Sequence, residues 1–216
     1  MSKRNHYKGP DRFTSEAKKA GFPARSVFKL EEIDRRVRLL RSGMSVLDLG
    51  AAPGSWSLYA AERVGIRGQL LAVDLQELRT ALPSQATFIQ GDALTLPNTL
   101  ANAPSTPGPS NHLSLYAPYD VVLSDMAPNT TGNRFADQAK SYELFVRALD
   151  VARALLKPGG AFVGKIFMGE DFPAARQAVR DAFASERLIR PEGTRSISYE
   201  IFIVGQDRKV APSSAG

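Results

Sequence analysis

Five short apolar runs recur along the chain, separated by stretches of helical periodicity, and this alternation limits the fold more than any other feature. The runs are "SVLDLG" (45–50), "GQLLAVDL" (68–75), "ATFIQGD" (86–92), "YDVVLSD" (119–125) and "AFVGKIF" (161–167). Between and before them, apolar residues fall at spacings of three and four. One helical stretch covers about Ser15 to Leu40 with a break at Gly21-Phe22-Pro23; Val27, Leu30, Ile33 and Val37 share a face. Others are predicted over 55–64, 137–156 and 171–183, with Asp137 and Asp171 as N-caps and Lys157-Pro158-Gly159-Gly160 as a stop. "RLIRP" (187–191) and "YEIFIVGQ" (199–206) close the chain as two further strands. Strands apolar on both faces and alternating with helices predict an α/β fold: a seven-stranded, mostly parallel sheet, helices on both faces, one antiparallel strand at the edge.

Composition removes several function classes. A chain of 216 residues with 43% hydrophobic content is one globular domain, and it has no apolar run near the ~18 residues of a membrane span. Without cysteine there is no disulfide, thiolate chemistry or zinc ribbon. The two histidines, His6 and His112, lie in polar or Pro/Gly-rich surroundings, which argues against metal or Ser-His-Asp chemistry. The leading "MSKRNHYKGPDR" lacks the apolar stretch of a signal peptide, so the expected address is the cytoplasm. Net charge is +6, and up to Arg41 twelve basic residues face five acidic ones, the footprint of a polyanion partner. The organisation expected is a basic, partly disordered extension (1–22), one folded domain (23–207) and a flexible tail (208–216). The Pro/Gly/Ser-rich segment 101–118 reads as a surface loop.

In an open α/β sheet, ligands sit at the carboxyl ends of the strands. The first strand runs into "LDLGAAPGSW", where Gly50 and Gly54 leave room for a ligand to approach the backbone and the next helix presents its N–H groups. The glycines are four apart with Pro53 between them, the wrong spacing for a dinucleotide turn, and this disfavours an NAD-dependent dehydrogenase. No Lys or Arg lies in 50–56, as a triphosphate would require. Asp74 ends the second strand, where an acid accepts the hydrogens of a ribose diol, and Asp92 ends the third, placed for an adenine amino group. Together they describe an adenosine pocket with no demand for phosphates.

The motifs "DLGAAPGSWS" (48–57), "QGD" (90–92), "LSDMAPNTTG" (123–132), "LKPGGAFVGKIFMGEDF" (156–172) and "SYEIFIVG" (198–205) resemble those of the FtsJ/RrmJ-like family. These are Rossmann-like, class I S-adenosylmethionine-dependent ribose 2′-O-methyltransferases, and the likeness is greatest to the single-domain bacterial ribosomal RNA branch. The resemblance implies a cofactor pocket of Gly54, Trp56, Asp74, Asp92 and Asp125, with Gly50, Ala51, Pro53, Ser55, Leu75 and Ala93 beside them. It also implies a catalytic tetrad at Lys29, Asp125, Lys165 and Glu200, and no metal. Two positions depart from the family pattern: Ser55, where a second glycine is common, and Gly164, where a β-branched residue is.

The implied reaction moves a methyl group from a sulfonium to a ribose hydroxyl, so the protein aligns three atoms and removes one proton. Two roles are open for Lys165. It is either the base, oriented by Asp125, or a cation that steadies the forming alkoxide; the first is favoured. A lysine base must be neutral, and an unperturbed lysine is neutral in only about one molecule per thousand near pH 7.4. Burial, the sulfonium and Lys29 favour the neutral form, whereas Asp125 and Glu200 oppose it.

The basic leading segment, with Tyr7, Phe13, Phe22 and Phe28, suits phosphate contacts and base stacking, though Phe28 reads as core. Arg134, Lys140, Arg190 and Arg195 extend the basic patch. The substrate implied by the resemblance is a uridine ribose in 23S ribosomal RNA of the large subunit, modified by a monomeric enzyme. The alternatives are the same chemistry on tRNA, or a non-catalytic RNA-binding assembly factor that kept the fold.

Overall fold

The computed structural model describes residues 12–95, 116–192, 194 and 198–210. His6, His112, Tyr7, Arg195 and most of the 101–118 segment lie outside the described residues. The elements in chain order are α1 (Arg12–Lys19), α2 (Val27–Val37), β1 (Ser45–Leu49), α3 (Ser55–Val64), β2 (Gln69–Asp74) and β3 (Ala86–Gln90). They continue with β4 (Tyr119–Ser124), α4 (Arg134–Leu155), β5 (Leu156–Phe167), α5 (Phe172–Ala182), β6 (Phe183–Ile189) and β7 (Glu200–Arg208).

The seven strands form one sheet in the order β3-β2-β1-β4-β5-β7-β6. Pairs from β3 through to β5 are parallel, as both-faced burial requires, while β7 runs antiparallel to β5 and to β6. The antiparallel strand expected at the edge therefore stands one place in. β7 slots between β5 and β6 and takes both as antiparallel partners, leaving β6 outside it. Strand order reverses at the β1–β4 junction, the switch point at which such sheets open a crevice.

Side-chain alternation divides the core into two layers. Leu47, Leu49, Val122, Phe162, Ile166, Ile201 and Ile203 pack under α4 and α5. Val46, Val121, Leu123, Val163, Phe202 and Val204 pack under α2 and α3 with Trp56 and Ala60. Gly164 explains its departure from a β-branched residue here: a Cβ would meet the Phe145 ring and the Phe162 ring at 2.6 Å, so the aromatic pair occupies the space a branch would need.

Two expectations about α4 are corrected. The helix begins three residues before Asp137, because Asn133 caps it, its Oδ1 accepting from Phe135 N (3.1 Å) and Ala136 N (3.3 Å). Asp137 is instead buried and turns back to the preceding loop, accepting from Thr131 N (2.8 Å), Thr131 Oγ1 (2.9 Å) and Gly132 N (3.2 Å). These bonds, that from the Thr131 backbone first, hold its carboxyl below the usual carboxylate range. The stop after α4 holds, but no loop follows. Leu156 pairs with Tyr119 and Ala161 with Val121, so residues 157–160 bulge within β5. Asp171 precedes α5 without a side-chain cap bond.

Candidate active site

The carboxyl edge of the sheet opens into a cleft of about 570 Å³. Gly50, Pro53, Asp74, Leu75, Asp92, Ala93 and Asp125, all expected from the sequence, line it. Gly50 and Gly54 take positive φ (75° and 108°), and neither tolerates a Cβ: at Gly50 it would run into Met126, at Gly54 into Thr80 Cγ2 at 2.7 Å. Asp74 spans the turn, Oδ2 accepting from Ala52 N (2.9 Å) and Oδ1 from Gln76 N (2.7 Å). Each oxygen keeps a second lone pair for a ligand diol. Asp92 is exposed at the rim, and its Oδ1 accepts from Leu94 N (2.9 Å).

Four expected cofactor contacts, Ala51, Gly54, Ser55 and Trp56, do not line the cleft. The reason is visible for the last two. Ser55 Oγ accepts from Ala24 N (2.8 Å) and donates to Ala24 O (3.1 Å), while Trp56 Nε1 donates to Ser26 O (2.8 Å). Both side chains thereby fasten the segment before α2 to the glycine turn. The serine that replaces a family glycine has structural work of its own. Sequence reasoning missed Gln76, Glu77, Arg79, Met126 and Asn129 in the lining. The last two lie within the "SDMAPN" stretch already singled out. Arg79 reaches the site through a bond from its N–H to Pro53 O (3.0 Å), which no local pattern announces.

Among the lining residues, four carboxylates (Asp74, Glu77, Asp92, Asp125) face one guanidinium, that of Arg79. Beneath the cleft lies another acid, Asp48, 1% exposed. Burial raises its carboxyl to about 7, against the opposing hydrogen bond from Ser57 Oγ (2.6 Å); Asp125 and Asp74 add to the rise. Among the described residues its Oδ1 has no hydrogen-bond partner.

The four expected tetrad residues form two ion pairs. Lys165 Nζ lies 2.9 Å from Asp125 Oδ1 and donates to Asp125 O at 2.6 Å, with the lysine 8% exposed. Lys29 Nζ lies 2.5 Å from Glu200 Oε1 and 6.0 Å from the Phe202 ring centroid. Ladder register brings the pairs together. Lys165 stands opposite Phe202 and Phe167 opposite Glu200, so Lys165 and Glu200 are diagonal neighbours on one face of β5 and β7. A second cavity of about 400 Å³, lined by Arg25, Lys29, Thr130, Phe167, Ser198, Tyr199 and Glu200, adjoins that face. The α4 helix steadies the end of β5, since Ser141 Oγ accepts from Phe167 N (2.9 Å) and Gln138 Nε2 donates to Met168 O (2.5 Å).

Among the basic-patch residues, Arg25 lies over Phe13 (5.6 Å), which packs against Phe28 (5.9 Å), and Arg134 lies over Tyr199 (5.1 Å). Phe28 is half-buried, covered by α1. No helix of the described residues is long and apolar enough to cross a membrane, and no group of acidic or histidine side chains among them could hold a metal.

A doubly wound sheet with a glycine turn after β1 and a cleft at its carboxyl edge is the Rossmann-like fold of S-adenosylmethionine-dependent methyltransferases. Solved structures agree at the level of fold. A Plasmodium falciparum protein named as a ribosomal RNA methyltransferase superposes with TM-score 0.72 at 22% identity, covering 87% of this chain and 98% of that one. Aeropyrum pernix fibrillarin with bound S-adenosyl-L-methionine superposes with TM-score 0.54 at 15% identity, covering 83% and 76%. Residues 22–208 match the model of the FtsJ-like methyltransferases, and the chain belongs to that family, whose cofactor is S-adenosyl-L-methionine. Its relatives include the ribosomal RNA large subunit methyltransferase E of Sorangium cellulosum, 63% identical over 96% of this chain and 92% of that protein. Another of the same name, from Bdellovibrio bacteriovorus, is 45% identical over 94% and 99%.

Proposed function

We propose that this protein transfers the methyl group of S-adenosyl-L-methionine to the ribose 2′-hydroxyl of a uridine in 23S ribosomal RNA of the large ribosomal subunit. It acts as a monomer in the cytoplasm, with 23–207 as the catalytic domain and the basic leading segment as an RNA contact. The shared name of the relatives supports the choice of ribosomal RNA over tRNA.

The observation that carries the reading is Lys165 on Asp125 between two cavities. Asp125 lines the larger one, while Lys29 and Glu200 line the other, Glu200 standing diagonal to Lys165 across the β5–β7 ladder. The residues fit the cofactor. An acidic cleft suits a sulfonium, the glycine turn admits a ligand against its backbone, and Asp74 and Asp92 offer acceptors for ribose and adenine. When bound, the cofactor supplies an electrophilic methyl group with a neutral leaving group. Asp125 O takes one N–H of Lys165 and its Oδ1 stands 2.9 Å from the same nitrogen, which fixes where Lys165 Nζ meets the hydroxyl proton. Lys29 and Glu200 position the ribose from the other side.

The deciding experiment is methyl-label transfer to large subunits, total ribosomal RNA and tRNA from a strain lacking the protein, with mapping of the labelled ribose. Label on a 23S ribose 2′-oxygen is expected. Label on tRNA alone, or saturable cofactor binding with no transfer, would refute the proposal.

A further inference from the structure

The second cavity has an aromatic wall with no task so far. Tyr199 immediately precedes β7, and its carbonyl accepts from Met168 N (2.9 Å), carrying the β5–β7 ladder one step past the Phe167–Glu200 pair. Its ring stands edge-on to Phe167, centroids 5.3 Å apart and planes at 80°. The Arg134 guanidinium lies 5.1 Å from its centroid. Of the two aromatic residues lining this cavity, Phe167 is 9% exposed and Tyr199 only half-buried, so Tyr199 is the one with ring surface to offer. Arg134 belongs to the first turn of α4, so the contact joins the segment after Asp125 to the segment leading into Glu200.

Resting on the function proposed above, we infer that Tyr199 is the platform on which the base of the target nucleotide stacks, with Arg134 as its flat cationic partner. A ribose held against Lys165 and Glu200 puts its base in the same cavity, because Glu200 and Tyr199 are adjacent in the chain and both line it. A base taken out of its stack loses neighbours on both faces, and aromatic rings and guanidinium planes are the groups that replace them. The volume of about 400 Å³ falls within the range of small-ligand sites. Because every base has a π-face, this platform sets affinity for the extruded nucleotide and leaves base identity to other contacts.

The test uses the full chain and large-subunit ribosomal RNA from a strain lacking it. Tyr199→Leu should raise KM for RNA by roughly tenfold, as loss of one stacked base implies. It should leave kcat and the cofactor Kd near wild type, and Tyr199→Phe should restore KM. Wild-type KM for Tyr199→Leu, a fall in kcat alone, or a Tyr199→Phe variant as impaired as Tyr199→Leu would each overturn the inference. A second reading does not depend on loss of function. Saturating RNA should quench the added indole of Tyr199→Trp beyond any change of the buried Trp56 in wild type, and no extra quenching would also overturn it. Failure of the wild type to methylate RNA at all would instead sink the proposed function, so the two failures are distinguishable.

Discussion

Lys165 reaches Asp125 twice, through the carboxylate at 2.9 Å and the backbone carbonyl at 2.6 Å, and so cannot swing away without breaking both contacts. A side chain held this way has a fixed orientation toward whatever occupies the neighbouring cavities. Lys165→Met should lower the single-turnover methylation rate by about 10²–10⁴-fold, the usual contribution of a positioned base. Cofactor affinity should change little, because Lys165 does not line the larger cleft. A wild-type rate for Lys165→Met would remove Lys165 from the chemistry.

Asp48 gives a stability prediction with a definite sign. Its folded-state pKa, about 7, lies above the ordinary 3.8, so the native state binds the extra proton between those values. The Asp48 contribution to stability is therefore most favourable below the ordinary value and declines as pH rises toward 7, levelling above it. Asp48→Asn removes the ionisation and keeps an oxygen for Ser57. Its stability relative to wild type should improve by roughly 2–3 kcal/mol between pH 5 and 8, read from urea denaturation at both values. A pH-independent difference would show that Asp48 does not titrate in this range.

Ser55→Ala should destabilise the fold by roughly 1–3 kcal/mol, since the Ala24 N–H loses its partner in a part-buried place. Thermal unfolding should fall by several degrees for a domain of this size. An unchanged Tm would mean that water replaces the hydroxyl.

Gly164→Val should cost on the order of 1–3 kcal/mol, or abolish folding, because the new branch meets Phe145. Combining it with Phe145→Leu should recover part of the loss, measured as a double-mutant cycle. Additivity of the two would contradict the contact.

Binding to RNA should weaken steeply as salt rises from 50 to 200 mM, given the +6 charge and its concentration before β1. Filter binding or anisotropy checks this. An affinity independent of salt would remove phosphate contacts from the account.

The four expected tetrad positions came from the family motifs, and their spatial proximity follows from the fold: Asp125 directly follows β4, and the β5–β7 register sets Lys165 diagonal to Glu200. What stayed hidden depended on partners remote in sequence. Asp137 has the right residue type for a cap, yet Asn133 competes for the helix end and Asp137 is drawn to Thr131. Ser55 and Trp56 sit in the cofactor motif, but Ala24 and Ser26 claim their polar atoms. Tyr199 and Arg134 meet only because β7 enters between β5 and β6, a placement that periodicity cannot reveal.

The clasp of Ser55 and Trp56 on residues 24–26 makes the turn that borders the larger cleft and the stretch that carries Lys29 into one mechanical body. The glycine turn and Lys29 therefore keep a fixed mutual placement, and a substitution that opens the Ser55 and Trp56 contacts should loosen both at once.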